Sequence, residues 1–322
     1  MLANTQVVTQ VPRPSVGAAQ VAILMCTKDG AAFLEQQLKS IADQTHTNWR
    51  LFVSDDVSAD KTLEILRHFT ETHYQTTTIR NGPGKGACAN FLSLAIDPKI
   101  DADYFAFCDQ DDIWYQDKLQ RALAWFATVD GDVPAFYCGR TELMSIDGQS
   151  CGFSSLFTRS VTFQNALVQN LGGGNTMVFN RAAKKLLEAA NTFEVVVHDW
   201  WVYQLVSAAD GMVHYDPQPA LKYRQHPDNL IGSNRGWRAR QVRLRMVLSG
   251  RFRDWNDTNI AALRRVPAQL IQPGNREVLE LFAKARSAFF LKRLYYLRRS
   301  GVYRQTLLGN IGLFAATLLK RI

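Results

Sequence analysis

From residue 21 the chain alternates between two hydrophobic rhythms. Short apolar runs at 21–26, 50–54 and 104–108 fit strands buried on both faces, and the threonine-rich 76–80 fits a shorter one. Between them, apolar residues recur at helical spacing. Phe33, Leu34, Leu38, Ile41 and Ala42 mark a helix over 32–44, and further helices are expected over 61–72 and 87–95. Ser58 or Asp60 is the expected N-cap of the second. Gly82, Gly84 and Gly86 make a loop ahead of the third. This βαβαβ order predicts an α/β fold with a mainly parallel sheet covered by helices.

The middle of the chain keeps the alternation. Helices are expected over 116–128, 182–190 and 198–209, and strands over 135–138, 175–180, 211–215 and 221–224. Turns are marked by Asp147-Gly148 and by Gly172-Gly173-Gly174. After Gly232 the texture changes. Arg238, Arg240, Arg243, Arg245, Arg251 and Arg253 punctuate a helical pattern, and 277–299 reads as one long helix. The expected organisation is a loose tail over 1–19, a main domain over 20–234 and a basic helical region over 235–322.

Composition changes this picture in two ways. Five scattered cysteines among 322 residues, with no CxxC pair, argue against a disulfide framework or a zinc site and fit a reducing, cytoplasmic setting. The first twenty residues lack the apolar core of a signal peptide, and the apolar stretch 311–319 is too short to span a membrane. The net charge of +8 is unevenly placed. Residues 235–322 carry 19 Lys+Arg against 4 Asp+Glu, a balance of +15, which leaves −7 on the rest. Such a block suits an anionic membrane surface or nucleic acid.

The candidate chemistry sits at strand ends. Asp55-Asp56 and Asp109-Gln110-Asp111-Asp112 each follow an expected strand directly, and in open α/β sheets ligands bind beyond the carboxyl ends of the strands. Crowded carboxylates repel, and a divalent cation with oxygen ligands, Mg²⁺ or Mn²⁺, is the simplest compensation. Alone, an Asp-x-Asp pattern also fits a solvated acidic turn. Likewise, His198-Asp199 at the start of an expected helix fits a simple cap. The stretch Gly82 to Gly86 lacks the spacing of a P-loop, which excludes an ATPase reading on that ground.

The context is more specific. VAILMCTKDGAAFLEQQLKSIADQTHTNWRLFVSDDVSADKT, from Val21 onward, resembles the opening of the family 2 glycosyltransferases. FCDQDDIWYQDKL resembles that family's metal-binding motif, and HDWW and YRQHPDN resemble its rhamnosyltransferase-like branch. The resemblance covers roughly residues 20–234 and implies the GT-A fold, a Rossmann-like mixed sheet flanked by helices. It implies that Thr27, Glu35, Asp55, Asp56, Lys85, Asn90, Asp109, Gln110 and Arg224 line the nucleotide-sugar site; Gly174, in a glycine run that also fits a flexible turn, is expected near the donor or acceptor because glycine permits close backbone approach. It further implies that Asp111, Asp109 and His226 serve the metal and that Asp199 is the general base. Val57 and Lys61 stand where the family commonly has glycine, and Asn175 where the branch often has cysteine.

The resemblance points to an inverting transferase using dTDP-L-rhamnose or, alternatively, a UDP-sugar. The acceptor would be a saccharide or lipid-linked molecule of bacterial surface polysaccharide synthesis. The basic region, interleaved with aromatic residues, is expected to dock on membrane or to mediate self-association. A non-enzyme reading, in which that region binds membrane or nucleic acid and the clustered acids are incidental, is the contrasting expectation; nucleic acid is the less favoured partner.

Overall fold

β1 (Val21–Thr27) is buried at every position, as an unbroken apolar run in a parallel sheet requires. Its side chains alternate between two cores: Val21, Ile23 and Met25 face one, while Ala22, Leu24 and Cys26 face the other. The structure is a computed structural model and describes residues 18–73, 77–192, 194–225 and 250–322. β1 pairs in parallel with β2 (Trp49–Asp55) and β4 (Tyr104–Cys108), and β2 with β3 (Thr77–Asn81). One face is covered by α1 (Leu34–Ala42), α2 (Thr62–Thr72) and α4 (Lys118–Phe126). The other is covered by α3 (Ala87–Ala95), α6 (Arg181–Ala190) and α7 (His198–Ala208).

Beyond β4 the sheet is no longer parallel. β8 (Val178–Asn180) runs antiparallel to β4 and to β6 (Ala135–Met144). β9 (Met212–Arg224) lies parallel to β6, with β5 (Ile113–Trp114) antiparallel at the far edge; β7 (Ser150–Phe153) pairs with β6. The order is β3-β2-β1-β4-β8-β6-β9-β5, so the mainly parallel sheet expected from the alternation describes only its first half. The mixed sheet flanked by helices matches the GT-A expectation.

Three element boundaries differ from the sequence reading, each for a local reason. The strands expected at 211–215 and 221–224 are one strand, β9. Its register against β6 jumps from Gly139↔Asp216 to Arg140↔Pro219, so the two prolines are absorbed in an irregularity rather than ending the strand. The strand expected at 175–180 begins with a 3₁₀ turn, Gly174–Thr176, and only its end joins the sheet. The helix expected over 277–299 is two, α9 (Pro273–Ser287) and α10 (Phe290–Ser300), broken where Ala288 and Phe289 turn extended with ψ of 162° and 158°. The carbonyl freed at Ala288 accepts hydrogen bonds from Arg293 Nε and Nη2, at 3.3 and 3.0 Å, which compensates the break. Two short elements, β5 and α5 (Phe163–Ala166), gave no periodic signal, and β7 and α11 (Leu307–Leu318) also went unread.

Among the described residues, the basic helical region packs into the core of the main domain rather than forming its own. α8 (Arg251–Arg265), α9 and α11 contribute Ile260, Leu263, Leu279, Phe282 and Leu313 to the same cluster as β1 and α7. Asn275 Nδ2 donates to the carbonyls of Ser207 and Ala208 at the end of α7, and Asn165 Nδ2 to that of Tyr303. At the other terminus, Ala19 is buried and Asn48 Nδ2 donates to the Ala18 carbonyl. The expected tail otherwise lies outside the described residues, as do His226 and the arginines from Arg235 to Arg245.

Because Phe282 is fully buried in the shared core, Phe282→Ala should cost about 3–5 kcal/mol. Thermal unfolding followed by circular dichroism should shift to lower temperature as a single transition. Two separated transitions would mean that the C-terminal helices unfold independently.

Candidate active site

β1, β2 and β4 end almost level: Thr27 pairs with Asp55, and Met25 with Cys108. The residues just past these ends therefore meet at one edge of the sheet. Thr27 Oγ1 donates to Asp55 Oδ1 at 2.7 Å; Ser58 adds its hydroxyl at 2.6 Å and its amide, to Oδ2, at 2.8 Å. The buried Asp55 thus ties the first two strand-end loops together. Asp56 reaches the third loop: Oδ1 accepts from the Gly84 amide at 2.6 Å, and Oδ2 from Gly86 at 3.0 Å. Both glycines have positive φ, 65° and 83°, which favours a residue without Cβ. Lys85 is exposed between them, and Glu35 is exposed in the first turn of α1. Asn90 is buried in α3 and donates to the Ser54 carbonyl at 2.8 Å, bracing the end of β2.

The replacement of glycine by Val57 has a visible consequence. Its φ is 67°, the left-handed region that costs an L-residue roughly 1–2 kcal/mol. Its carbonyl accepts a hydrogen bond from Lys28 Nζ. Lys61, the other replacement, has an ordinary φ of −76° and opens α2 without strain. The caps expected at Ser58 or Asp60 are instead loop ties. Asp60 Oδ1 accepts from the Thr62 amide at 2.9 Å and Oδ2 from the Ala31 amide at 3.0 Å.

Past β4, Gln110 behaves like an inserted peptide unit. Its amide accepts from Lys28 N at 2.8 Å and donates to Lys28 O at 2.9 Å. A Cβ on Gly30 would overlap this amide. The carboxylates follow. Asp109, Asp111 and Asp112 offer oxygens that all lie within 4.8 Å of one another. Asp112 is fully buried; Oδ2 accepts from Asn175 Nδ2 at 2.6 Å and Oδ1 from the Arg224 amide at 3.4 Å. Asp109 and Asp111 are half-buried. Arg224 is itself buried, with its guanidinium donating to the carbonyls of Asp111 and Ile146 and to Gln36 Oε1, at 3.1, 3.0 and 2.6 Å. It clamps the acidic loop to α1 and to the β6–β7 turn, with its guanidinium also 4.4 Å over the Phe33 ring.

Asp199 lies in the first turn of α7. Val197, not His198 or Asp199, occupies the N-cap of α7. The buried Asp199 carboxylate accepts from the Gly174 amide at 3.0 Å and from its neighbour Trp200 N at 2.6 Å. Gly174 leaves no room for a side chain: a Cβ there would overlap His198 Nε2. The His198 ring is stacked on Phe91 with centroids 4.1 Å apart, and burial lowers its pKa. Trp201 is core, and Trp200 donates its indole N–H to the Ala166 carbonyl at 2.6 Å, so neither forms an open sugar platform.

Electrostatics binds these groups into one site. Burial, then the charges of Asp111 and Asp199, push the Asp109 carboxyl up to about 8, against the opposing pull of Lys118. Burial, then Asp111 and Asp109, raise Asp112 well above the carboxylate range. Burial also raises the Tyr223 phenol, helped in turn by Asp109, Asp112, Asp111 and Asp199, so this ring feels all four carboxylates. Beneath the cluster lies Lys118, fully buried, donating to the Asn175 carbonyl at 2.7 Å and set 3.1 Å above the Trp114 ring. Burial lowers its amine to about 7, although Cys108, Asp112 and Asp109 oppose that shift. Lys118, Tyr223 and Asn175 were given no role by the sequence reading. Lys118 lies inside the quoted FCDQDDIWYQDKL motif, and Tyr223 immediately precedes Arg224, so adjacency was the available signal.

Carboxylates crowded until they resist ionisation form a donor set short of positive charge. Hard oxygen ligands of this kind fit a Mg²⁺ or Mn²⁺ ion that shares its shell with phosphates.

A mixed sheet flanked by helices, with an acidic cluster just past the end of β4, is the arrangement of the GT-A fold. The family model described as Glycosyl transferase family 2 matches residues 22–187, and the chain belongs to that family and is a glycosyltransferase. It is 30% identical over 244 residues to the dTDP-rhamnosyl transferase RfbG of Shigella flexneri, covering 71% of this chain and 81% of that protein. It is 28% identical to the UDP-Glc:alpha-D-GlcNAc-diphosphoundecaprenol beta-1,3-glucosyltransferase WfgD of Escherichia coli, over 50% of this chain and 60% of that one. Among solved structures it resembles the mannosyltransferase PcManGT from Pyrobaculum calidifontis in complex with GDP-Man and Mn²⁺. There the TM-score is 0.51 at 16% identity, over 94% of this chain and 86% of that one. It also resembles S. aureus TarS 1-349 in complex with UDP, with a TM-score of 0.51 at 16% identity, over 87% and 90%. These structural likenesses establish the fold.

The Asp109 shift has a signed consequence. The folded chain keeps a proton on Asp109 that the unfolded chain releases near pH 4. Its contribution is therefore complete below that pH and is lost as pH rises toward about 8. In chelator, the melting temperature of the wild type should fall relative to Asp109→Asn between pH 5 and 7, and added Mn²⁺ should raise it more at pH 7 than at pH 5. Parallel pH profiles for the two proteins, with no pH-dependent gain from Mn²⁺, would contradict the crowding.

Proposed function

We propose that the enzyme transfers L-rhamnose from dTDP-L-rhamnose, with inversion at the anomeric carbon, to a hydroxyl of a saccharide or lipid-linked acceptor of bacterial surface polysaccharide. One observation carries the mechanism. The buried Asp199 carboxylate, held by the Gly174 amide, lies close enough to the acidic loop for its charge to raise the Asp109 carboxyl.

In this reading Asp199 accepts the proton of the acceptor hydroxyl as its oxygen attacks the anomeric carbon. The bond from that carbon to the diphosphate oxygen breaks, and its electron pair leaves with the nucleoside diphosphate. Such general-base help is typically worth about 10²–10⁴-fold. Asp109 and Asp111, the half-buried members of the acidic loop, would hold the divalent cation, while Asp112 and Arg224 fix the loop from inside. A bound Mg²⁺ or Mn²⁺ supplies positive charge to the departing diphosphate. Thr27, Asp55, Asp56 and Gln110 set the walls of the nucleotide pocket. A single base, with no second carboxylate assigned as nucleophile, favours inversion over retention.

The similarity to an enzyme named for dTDP-rhamnose supports the donor. The similarity to one named for UDP-Glc supports the second reading, a UDP-hexose donor. A screen of nucleotide-sugars for metal-dependent donor hydrolysis tests the two. Release of dTDP from dTDP-L-rhamnose, with little UDP from UDP-hexoses, is the expected result; the reverse would replace the first reading by the second.

Asp199→Asn should retain metal-dependent nucleotide binding while transfer falls about 10²–10⁴-fold. Asp111→Asn should weaken metal-dependent binding itself. Calorimetric titration of the nucleoside diphosphate with Mn²⁺, alongside turnover, separates the two effects. Near-normal turnover in Asp199→Asn would remove it as the base.

A further inference from the structure

The C-terminal helix α11 carries no charged residue, and its inward side, Leu313, Ala316 and Thr317, is already buried. Its outward side is apolar too. Leu307, Ile311, Phe314 and Leu318 follow one another at spacings of four and three, beside a second stripe formed by Leu308, Gly312, Ala315 and Leu319. A helix that is hydrophobic all round belongs under cover, yet Leu307 is 77% exposed and Leu308 67%. The break between α9 and α10 extends the surface. Buried Arg293 donates from Nη1 to the carbonyls of Thr317 and Leu318, at 3.0 and 3.1 Å, and from Nη2 to Ala288 O. This guanidinium holds the end of α11 against the start of α10, where Phe289 is 81% and Leu291 75% exposed. One cation thus fastens two exposed apolar segments into a single face.

The charge around this face selects its partner. Residues 288–322 contain seven Lys+Arg and no Asp or Glu. Lys292 follows Leu291, Lys320 follows Leu319, and both are exposed at the point where the two helices meet. Two copies of the chain pairing here would oppose cation to cation. A bilayer with anionic headgroups meets both demands, apolar depth for the leucines and phenylalanines and negative charge for the rim. α11 is about 18 Å long, and no helix among the described residues is long and apolar enough to cross a membrane, so it would lie in the interface plane.

We infer that the outward face of α11, joined by Phe289–Leu291 at the start of α10, is a docking surface for an anionic lipid bilayer. The surface is rigidly tied to the catalytic body. Gln305 Nε2 donates to Asn165 Oδ1 at 3.2 Å, and Asn165 Oδ1 in turn accepts from Tyr203 of α7, the helix whose first turn carries Asp199. Docking therefore presents the crevice at a fixed attitude to the lipid surface. The inference is independent of whether Asp199 acts as the base.

Flotation of the full chain with vesicles tests it, using phosphatidylcholine alone and phosphatidylcholine mixed with phosphatidylglycerol. Two variants report on the two demands: Leu308→Glu with Ile311→Glu for depth, and Lys292→Glu with Lys320→Glu for charge. All four positions are exposed, and a circular dichroism melt checks the fold. The wild type should float with the anionic vesicles and not with phosphatidylcholine alone. Each cation near an anionic surface is worth about fivefold in binding, so reversing two should weaken it by about 25-fold or more, and the paired acidic substitutions should also weaken it strongly. Absence of wild-type flotation would overturn the proposal, as would equal flotation of wild type and both variants. So would a dimer on gel filtration that Leu308→Glu with Ile311→Glu converts to monomer without any lipid binding.

Discussion

Four carboxylates, Asp109, Asp111, Asp112 and Asp199, are held near one another at the edge of a sheet, and their mutual repulsion is the constraint around which the site is arranged. Repulsion alone would push the acidic loop into solvent. It is held in place because Asp112 is buried against Asn175 Nδ2 and the Arg224 amide, while the Arg224 side chain holds the Asp111 carbonyl. Buried polar groups are tolerable when fully satisfied, and this loop meets that condition largely through residues distant in sequence. Lys118 lies beneath it as a compensating amine whose own charge burial has weakened. The remaining deficit of positive charge faces the crevice, where a metal and a diphosphate would bring charges of both signs.

The fold explains why these groups meet. Parallel β1, β2 and β4 deliver Asp55, Asp56 and Asp109 to one edge and exclude water beneath them by full burial. The mixed half of the sheet then brings in the partners of these groups. The 3₁₀ turn at Gly174–Thr176 supplies the amide that aims Asp199 and, from Asn175, both the donor to Asp112 and the acceptor for Lys118. Asn175, read from sequence as a departure from the branch pattern, is therefore an integral part of the acidic cluster.

The first half-sheet was legible because doubly buried strands leave unbroken apolar runs, as at 21–26, and because the carboxylates follow those runs directly. What escaped reading depended on contacts between distant residues. Pro217 and Pro219 argue locally against a continuous β9, yet a register shift against β6 accommodates them. Ala288 and Phe289 carry no breaker signal, and their break is compensated by Arg293, a donor in the following helix. In the site, Asp199 was legible only through the resemblance, since an aspartate opening a helix reads as a cap; the structure puts Val197 there. Lys118 was hidden because a lysine in a charged stretch reads as surface. Arg224 was read as a ligand of the nucleotide-sugar; in the structure its guanidinium joins the acidic loop to the β6–β7 turn and to α1, a role no local pattern signals.

In the proposed division of labour, the acidic loop would hold cation and diphosphate, and Asp199 at the start of α7 would remove the proton. Paramagnetic broadening of the ³¹P signals of dTDP by protein-bound Mn²⁺ tests it most directly, because it reports metal–diphosphate contact without requiring turnover. Strong broadening in the wild type, retained in Asp199→Asn and lost in Asp111→Asn, is the predicted pattern. Loss of broadening in Asp199→Asn, or its retention in Asp111→Asn, would contradict the account.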